Sequence, residues 1–105
     1  MKNINIERVL EIIENGKYTK IETYVTPMGA TLYNVTTNNG GIIRLIHANK
    51  VWFTKECVDV LLFVPNKNDY IFCKKYKSNH ELFNRVYEAW NKIRNEYEKN
   101  DLKFF

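Results

Sequence analysis

Residues 31–47 read Thr-Leu-Tyr-Asn-Val-Thr-Thr-Asn-Asn-Gly-Gly-Ile-Ile-Arg-Leu-Ile-His. Two runs rich in β-branched and aromatic residues, Thr31 to Thr37 and Ile42 to His47, flank Asn38-Asn39-Gly40-Gly41. Asn-Gly between such runs is the strongest short-range hairpin signal, because both residues tolerate the left-handed backbone a tight turn needs. The middle of the chain is therefore antiparallel sheet, and the flanking segments are read against it.

Immediately upstream, residues 18–26 (Tyr-Thr-Lys-Ile-Glu-Thr-Tyr-Val-Thr) interleave β-formers with polar residues and predict another strand, closed by a turn at Pro27-Met28-Gly29. Further upstream the period changes. Ile6, Val9, Leu10 and Ile13 fall at i, i+3, i+4 and i+7, which predicts a helix over 5–14. Asn3 or Asn5 can cap it, Glu7 lies in its first turn, and Asn15-Gly16 supplies the stop.

Downstream, Ala48-Asn49-Lys50 breaks the hairpin strand and Val51-Trp52-Phe53 resumes an apolar segment. Val58 to Val64 is apolar except for Asp59, the pattern of a strand buried on both faces. Pro65 to Asp69 is a turn, and Tyr70 to Tyr76 the last strand. Short links favour an antiparallel meander, since parallel neighbours need long crossovers.

The closing segment returns to helical spacing. Ser78-Asn79-His80-Glu81 has the form of a capping box, and Phe83, Val86, Trp90, Ile93 and Tyr97 recur at 3-4-3-4, with Leu82 and Tyr87 widening the stripe. Such a stripe suits packing across a sheet; its heptad-like spacing also suits a homodimer contact. The tail Asp101-Leu102-Lys103-Phe104-Phe105 either docks on the body or meets a partner. The expectation is one α+β domain over 1–105: a short N-terminal helix, a four- to five-stranded antiparallel meander, and a long C-terminal helix across it.

Composition bounds function. With 105 residues, 45% hydrophobic and 27% charged, the chain is neither disordered nor multidomain. Two cysteines are too few for a disulfide scaffold, and no apolar run is long enough for a membrane span. Charge within the first eight residues speaks against a signal peptide, so a cytoplasmic location is expected. Asn, Ile and Lys number 14, 10 and 12 against three Ala, a bias that follows AT-rich codons and fits a low-GC bacterium or one of its phages. The net charge is +4, but six basic and four acidic residues precede residue 53 and ten basic and eight acidic follow it. Each half therefore carries +2, whereas a dedicated nucleic-acid binder gathers its charge.

Several sets of residues suggest chemistry. Lys67, Lys74, Lys75, Lys77, His80 and Arg85, with Tyr70, Phe72 and Tyr76 interleaved, combine the cations and rings that phosphate contact and base stacking use. Lysines in 74–77 equally suit a solvated edge strand. On a regular strand Lys75 and Lys77 share one face, while Lys74 points to the other. His47, His80, Cys57 and Cys73 are the right types for zinc, but no CxxC or HxxxH spacing links them, so no metal is expected. Cys57 with His47 and Asp59 would form a thiol triad, and Cys57 with Cys73 a disulfide in an oxidising compartment.

Two family resemblances bear on these residues. Val58-Asp59-Val60-Leu61-Leu62-Phe63, a turn at Pro65, Ile71-Phe72-Cys73-Lys74 and a following helix resemble the layout of PD-(D/E)xK nucleases. Phe72 stands where that family has its second acid, and one carboxylate with a Lys does not organise a divalent cation, so the resemblance implies at most a degenerate relative. Asn3-Ile4-Asn5 and Glu14-Asn15-Gly16-Lys17-Tyr18-Thr19 resemble the opening of small phage anti-CRISPR proteins, which run helix, three-stranded antiparallel sheet, helix. That resemblance implies a non-enzymatic, cofactor-free inhibitor that occupies a host protein or nucleoprotein complex. A basic chain does not suit the acidic DNA mimicry common among such inhibitors. Direct nucleic-acid binding is the second expectation.

Overall fold

Asn5 accepts a hydrogen bond from the Arg8 amide on its Oδ1 (3.2 Å), and this cap starts helix α1, Ile6–Glu14. Gly16, at φ 67°, ends it by taking the left-handed conformation that other residues avoid. These positions belong to a computed structural model that describes residues 5–27, 30–48, 55–65 and 69–102. Five strands follow: β1 (Tyr18–Val25), β2 (Thr31–Thr37), β3 (Ile42–Ala48), β4 (Cys57–Val64) and β5 (Asp69–Lys77). They form one antiparallel sheet in chain order, β1-β2-β3-β4-β5, and helix α2, Phe83–Leu102, packs across it. The meander read from turn spacing is the observed topology.

The central hairpin closes as its residues demand. The Thr37 amide donates to the Gly41 carbonyl (2.8 Å) and the Gly40 amide to the Thr37 carbonyl (3.0 Å), with Gly40 at φ 89°. Thr37 Oγ1 also accepts from the Gly41 amide (2.9 Å), so the polar turn is satisfied from within.

Both helices lie on one face of the sheet. Val9, Leu10 and Ile13 from α1 meet Phe83, Val86, Ala89, Trp90 and Ile93 from α2 over Val35, Ile43, Leu45, Val58, Val60 and Tyr76. The stripe on α2 is thus spent on the core, and it is not available for the homodimer contact that its spacing also suits. Lys92 Nζ donates to the Ile13 and Glu14 carbonyls (2.8 and 3.0 Å), satisfying the end of α1. Arg85 bridges to Glu7 (2.5 Å) and Glu14 (3.1 Å), tying α2 to both ends of α1.

Two expectations need correction. Strand β4 is not buried on both faces. Val58, Val60 and Leu62 are buried, whereas Cys57, Asp59, Leu61 and Phe63 alternate with them and are only half-buried, because no described element packs on that side. The capping box does not form either: residues 78–82 make turns, and α2 begins at Phe83. The cause is local. Ser78 gives its amide to the Glu56 carbonyl (2.9 Å) and so prolongs strand pairing. His80 then accepts the Leu82 amide on Nδ1 (3.0 Å), in the role expected of Ser78. Val51-Trp52-Phe53, Met28-Gly29 and the Phe104-Phe105 tail lie outside the described residues.

Candidate functional site

The basic set predicted over 67–85 is dispersed by the fold. Lys67 lies outside the described residues. Tyr76 is 1% exposed and part of the core, so its ring offers no stacking surface. His80 sets its ring edge-on against Tyr76 (4.9 Å between centroids) and holds the helix start. Arg85 is committed to two carboxylates of α1 rather than to a ligand. Lys74 pairs with Val60 and lies over the Tyr76 ring at 5.2 Å, on the helix-covered face. Lys75 and Lys77 oppose Asp59 and Cys57 and project from the other face. The strand alternation expected for these lysines is the one observed, and only Lys75 and Lys77 remain together.

The same register dissolves the catalytic alternatives. Asp59 faces away from Phe72 and Lys74, which pair with Leu62 and Val60, so the nuclease layout is split across the sheet. His47 pairs with Val58, which places it on the face opposite Cys57 and Asp59 and dismantles the thiol triad. Burial and then the Asp59 charge push the Cys57 thiol up, the opposite of what a nucleophile needs. Cys57 and Cys73 are both free, separated along β4 and β5 by four residue pairs. Among the described residues no three His, Cys, Asp or Glu side chains are grouped to hold a metal ion.

What the fold assembles instead is a sheet face. On the side away from the helices, Ile46 of β3 stands beside Asp59 of β4 and Ile42 lies diagonal to Leu61, with Lys75 and Cys73 of β5 next in register to Asp59 and Leu61. All but Cys73 and Lys75 are half-buried; those two are exposed. Arg44 lies in the same layer, its Nε donating to Asn34 Oδ1 on the neighbouring strand (3.0 Å), so its guanidinium is held across the sheet. Arg44 therefore sits at the middle of this face, opposite Leu61 and between Ile42 and Ile46, while Lys75 and Lys77 line its β5 edge.

Asp59 is anomalous within this face. Its Oδ1 is buried without a hydrogen-bond partner. Burial pushes its carboxyl above the usual range, and the Lys75 ammonium opposes that only in part. A carboxyl raised in the folded state costs stability as pH climbs from the unfolded value, about 4, to the folded one. Above that window the cost is constant. Asp59→Asn should therefore raise stability by about 1 kcal/mol at neutral pH and leave it unchanged in acid below the ordinary carboxylate range. Thermal melts of both proteins at the two pH values check this; equal gains at both would show that the charge is not the cause.

A second feature, unremarked in the sequence, lies at the other end of the helix. A cleft of about 510 Å³ runs between α2 and the sheet, lined by Thr23, Tyr33, His47, Tyr87, Trp90 and Tyr97, with Val25, Arg94 and Glu98 at its mouth. His47 Nε2 meets Glu56 Oε2 at 2.6 Å, and its ring lies 4.6 Å from Trp90 and 5.1 Å from Tyr87. The contact with Glu56 and the flanking rings fix the imidazole in place. The signal was present in the alternation Ile43, Leu45, His47, which puts the histidine on the core face.

Comparison of the chain with protein-family models, with curated proteins and with solved structures finds no match. Among the described residues no helix is long and apolar enough to cross a membrane.

Proposed function

We propose that this chain is a non-enzymatic binding protein, of the phage or mobile-element kind, that works by occupying a surface of a host protein or nucleoprotein. One observation carries the reading: both helices cover one face of the sheet, while the other presents Ile42, Ile46 and Leu61 around a central Arg44, with Lys75 and Lys77 along one edge. Apolar side chains grouped around an arginine suit a protein interface, where Arg is enriched and Lys is depleted. The resemblance of residues 3–19 to anti-CRISPR proteins points to a host defence complex as the target, and the basic side chains of this face favour an acidic or nucleic-acid-bearing one.

Capture of partners from the natural host by the parent and three variants tests this. Leu61→Glu and Lys75→Ser should each lose the partner, and Lys74→Ser, on the covered face, should retain it. A partner held equally by all four would place the contact elsewhere.

Direct binding to nucleic acid is a second reading, favoured by Lys75 and Lys77 sharing a face with Arg44. Changing Lys74, Lys75 and Lys77 together to Ser should alter stability by no more than about 0.5 kcal/mol per site, since these side chains are exposed. If phosphates are contacted, a gel shift on DNA or RNA should weaken in this variant, and its slope of log affinity against log salt should flatten by about one unit for each phosphate no longer neutralised. Unchanged slopes would leave protein as the partner.

A further inference from the structure

The two edges of the sheet are unlike. Strand β5 carries Lys74, Lys75 and Lys77, and lysines along an edge repel an approaching strand. Strand β1 has Lys20 alone, and it bears two of the three exposed large hydrophobics among the described residues, Tyr24 at 52% and Val25 at 71%.

The backbone of β1 is also set to receive a strand. The Thr26 amide donates to the Ala30 carbonyl at 2.9 Å. Antiparallel ladders alternate between bonded and non-bonded pairs, so Tyr24 and Glu22 likewise turn their amide and carbonyl toward β2. Ile21, Thr23 and Val25 turn theirs outward. The irregularity in the β1–β2 register falls between Tyr18 and Lys20, which leaves Ile21–Val25 regular.

We propose that this edge pairs antiparallel with β1 of a second copy of the chain, about a two-fold axis perpendicular to the sheet at Thr23. Such an axis keeps the faces of the two sheets matched, so few centres are possible. Centring on Ile21 draws in the irregular end of the strand. Centring on Glu22 sets two carboxylates directly opposite each other, which is unfavourable. Centring on Thr23 opposes Ile21 to Val25 of the second copy and Thr23 to its own counterpart, β-branched pairs of the kind that stabilise sheets. Glu22 then faces Tyr24, whose hydroxyl already donates to the Glu22 carboxylate within one chain (3.1 Å). Both exposed hydrophobics are covered in this arrangement. The two open sheet faces also come to lie side by side, which doubles the apolar and basic surface without depending on what that surface binds.

Sedimentation of the full chain from low micromolar to near-millimolar concentration tests the proposal. The mass should rise from 12.6 kDa toward twice that value. Thr23→Pro removes an outward N–H and no β1–β2 backbone bond, losing toward β2 only the Thr23 hydroxyl's bond to the Leu32 carbonyl (3.2 Å), and Val25→Lys places a charge on the edge. Each should weaken self-association about tenfold or more. Melts within a few degrees of the parent confirm folding, and Val25→Lys retains the test if the proline disturbs β1. With Cys57→Ser and Cys73→Ser as background, Thr23→Cys should crosslink to itself, because directly opposed residues lie within disulfide reach. A parent that stays monomeric throughout overturns the proposal. So does a dimer that both variants leave intact, or one in which Thr23→Cys does not crosslink.

Discussion

Replacing Trp90 with Ala should cost about 3–5 kcal/mol and lower the melting midpoint by more than about 10 °C. Trp90 is 4% exposed in the middle of α2 and joins the two layers of the molecule. Its ring meets Tyr33 edge-on at 5.8 Å, His47 at 4.6 Å and Tyr87 at 5.8 Å. Its Nε1 donates to the Thr31 carbonyl (3.4 Å), and Arg94 lies over its outer face at 5.7 Å. Removing the indole opens a cavity that these rings cannot close, since Tyr33 and His47 are fixed to neighbouring strands. A small domain has only about 5–15 kcal/mol to lose, so the variant should lie close to its unfolding threshold. Circular-dichroism melts within a few degrees of the parent would show that the helix stripe is not the core.

Tyr76→Ala should be comparably damaging, by about 3–5 kcal/mol, and the loss should be of folding rather than of binding. Tyr76 is 1% exposed, faces inward beside Val58, and supports His80 at the start of α2. Burial pushes its phenol up, in keeping with a ring enclosed by protein. The neighbouring exposed position provides the contrast: Lys75→Ser should leave the melt nearly unchanged. Urea titrations of both variants distinguish the roles. A Tyr76→Ala protein that unfolds at the parent's midpoint would return this residue to the surface, where its place among lysines suggests it.

The fate of Tyr76 shows where sequence reasoning lost its hold on the site. Lys74-Lys75-Tyr76-Lys77 looks like one polar surface when read as a string, yet the strand sends Lys74 and Tyr76 to one side and Lys75 and Lys77 to the other. Alternation was legible, and it correctly separated Lys74 from Lys75. Which side α2 would cover was not, because that depends on how a distant helix docks. Arg85 makes the same point. Its partners Glu7 and Glu14 are more than seventy residues away, and nothing local to Arg85 announces them. The His47–Glu56 pair and the aromatic cleft likewise join β3, the start of β4 and α2.

Local chemistry by itself determined the elements and their order. Periods of 3.6 and 2, the Asn5 cap, the stop at Gly16 and the Asn-Gly turn act over a few residues, and short links between strands leave an antiparallel meander as the economical topology. Tertiary structure alone decided which face of that sheet was covered. Two helices docked on the same side, so Asp59, Cys57 and Lys75 were left opposite His47, Lys74 and Tyr76. The physical reason is that a side chain's face follows from strand geometry, whereas its exposure follows from what packs there, and packing is set by contacts that the chain makes only once it has closed on itself.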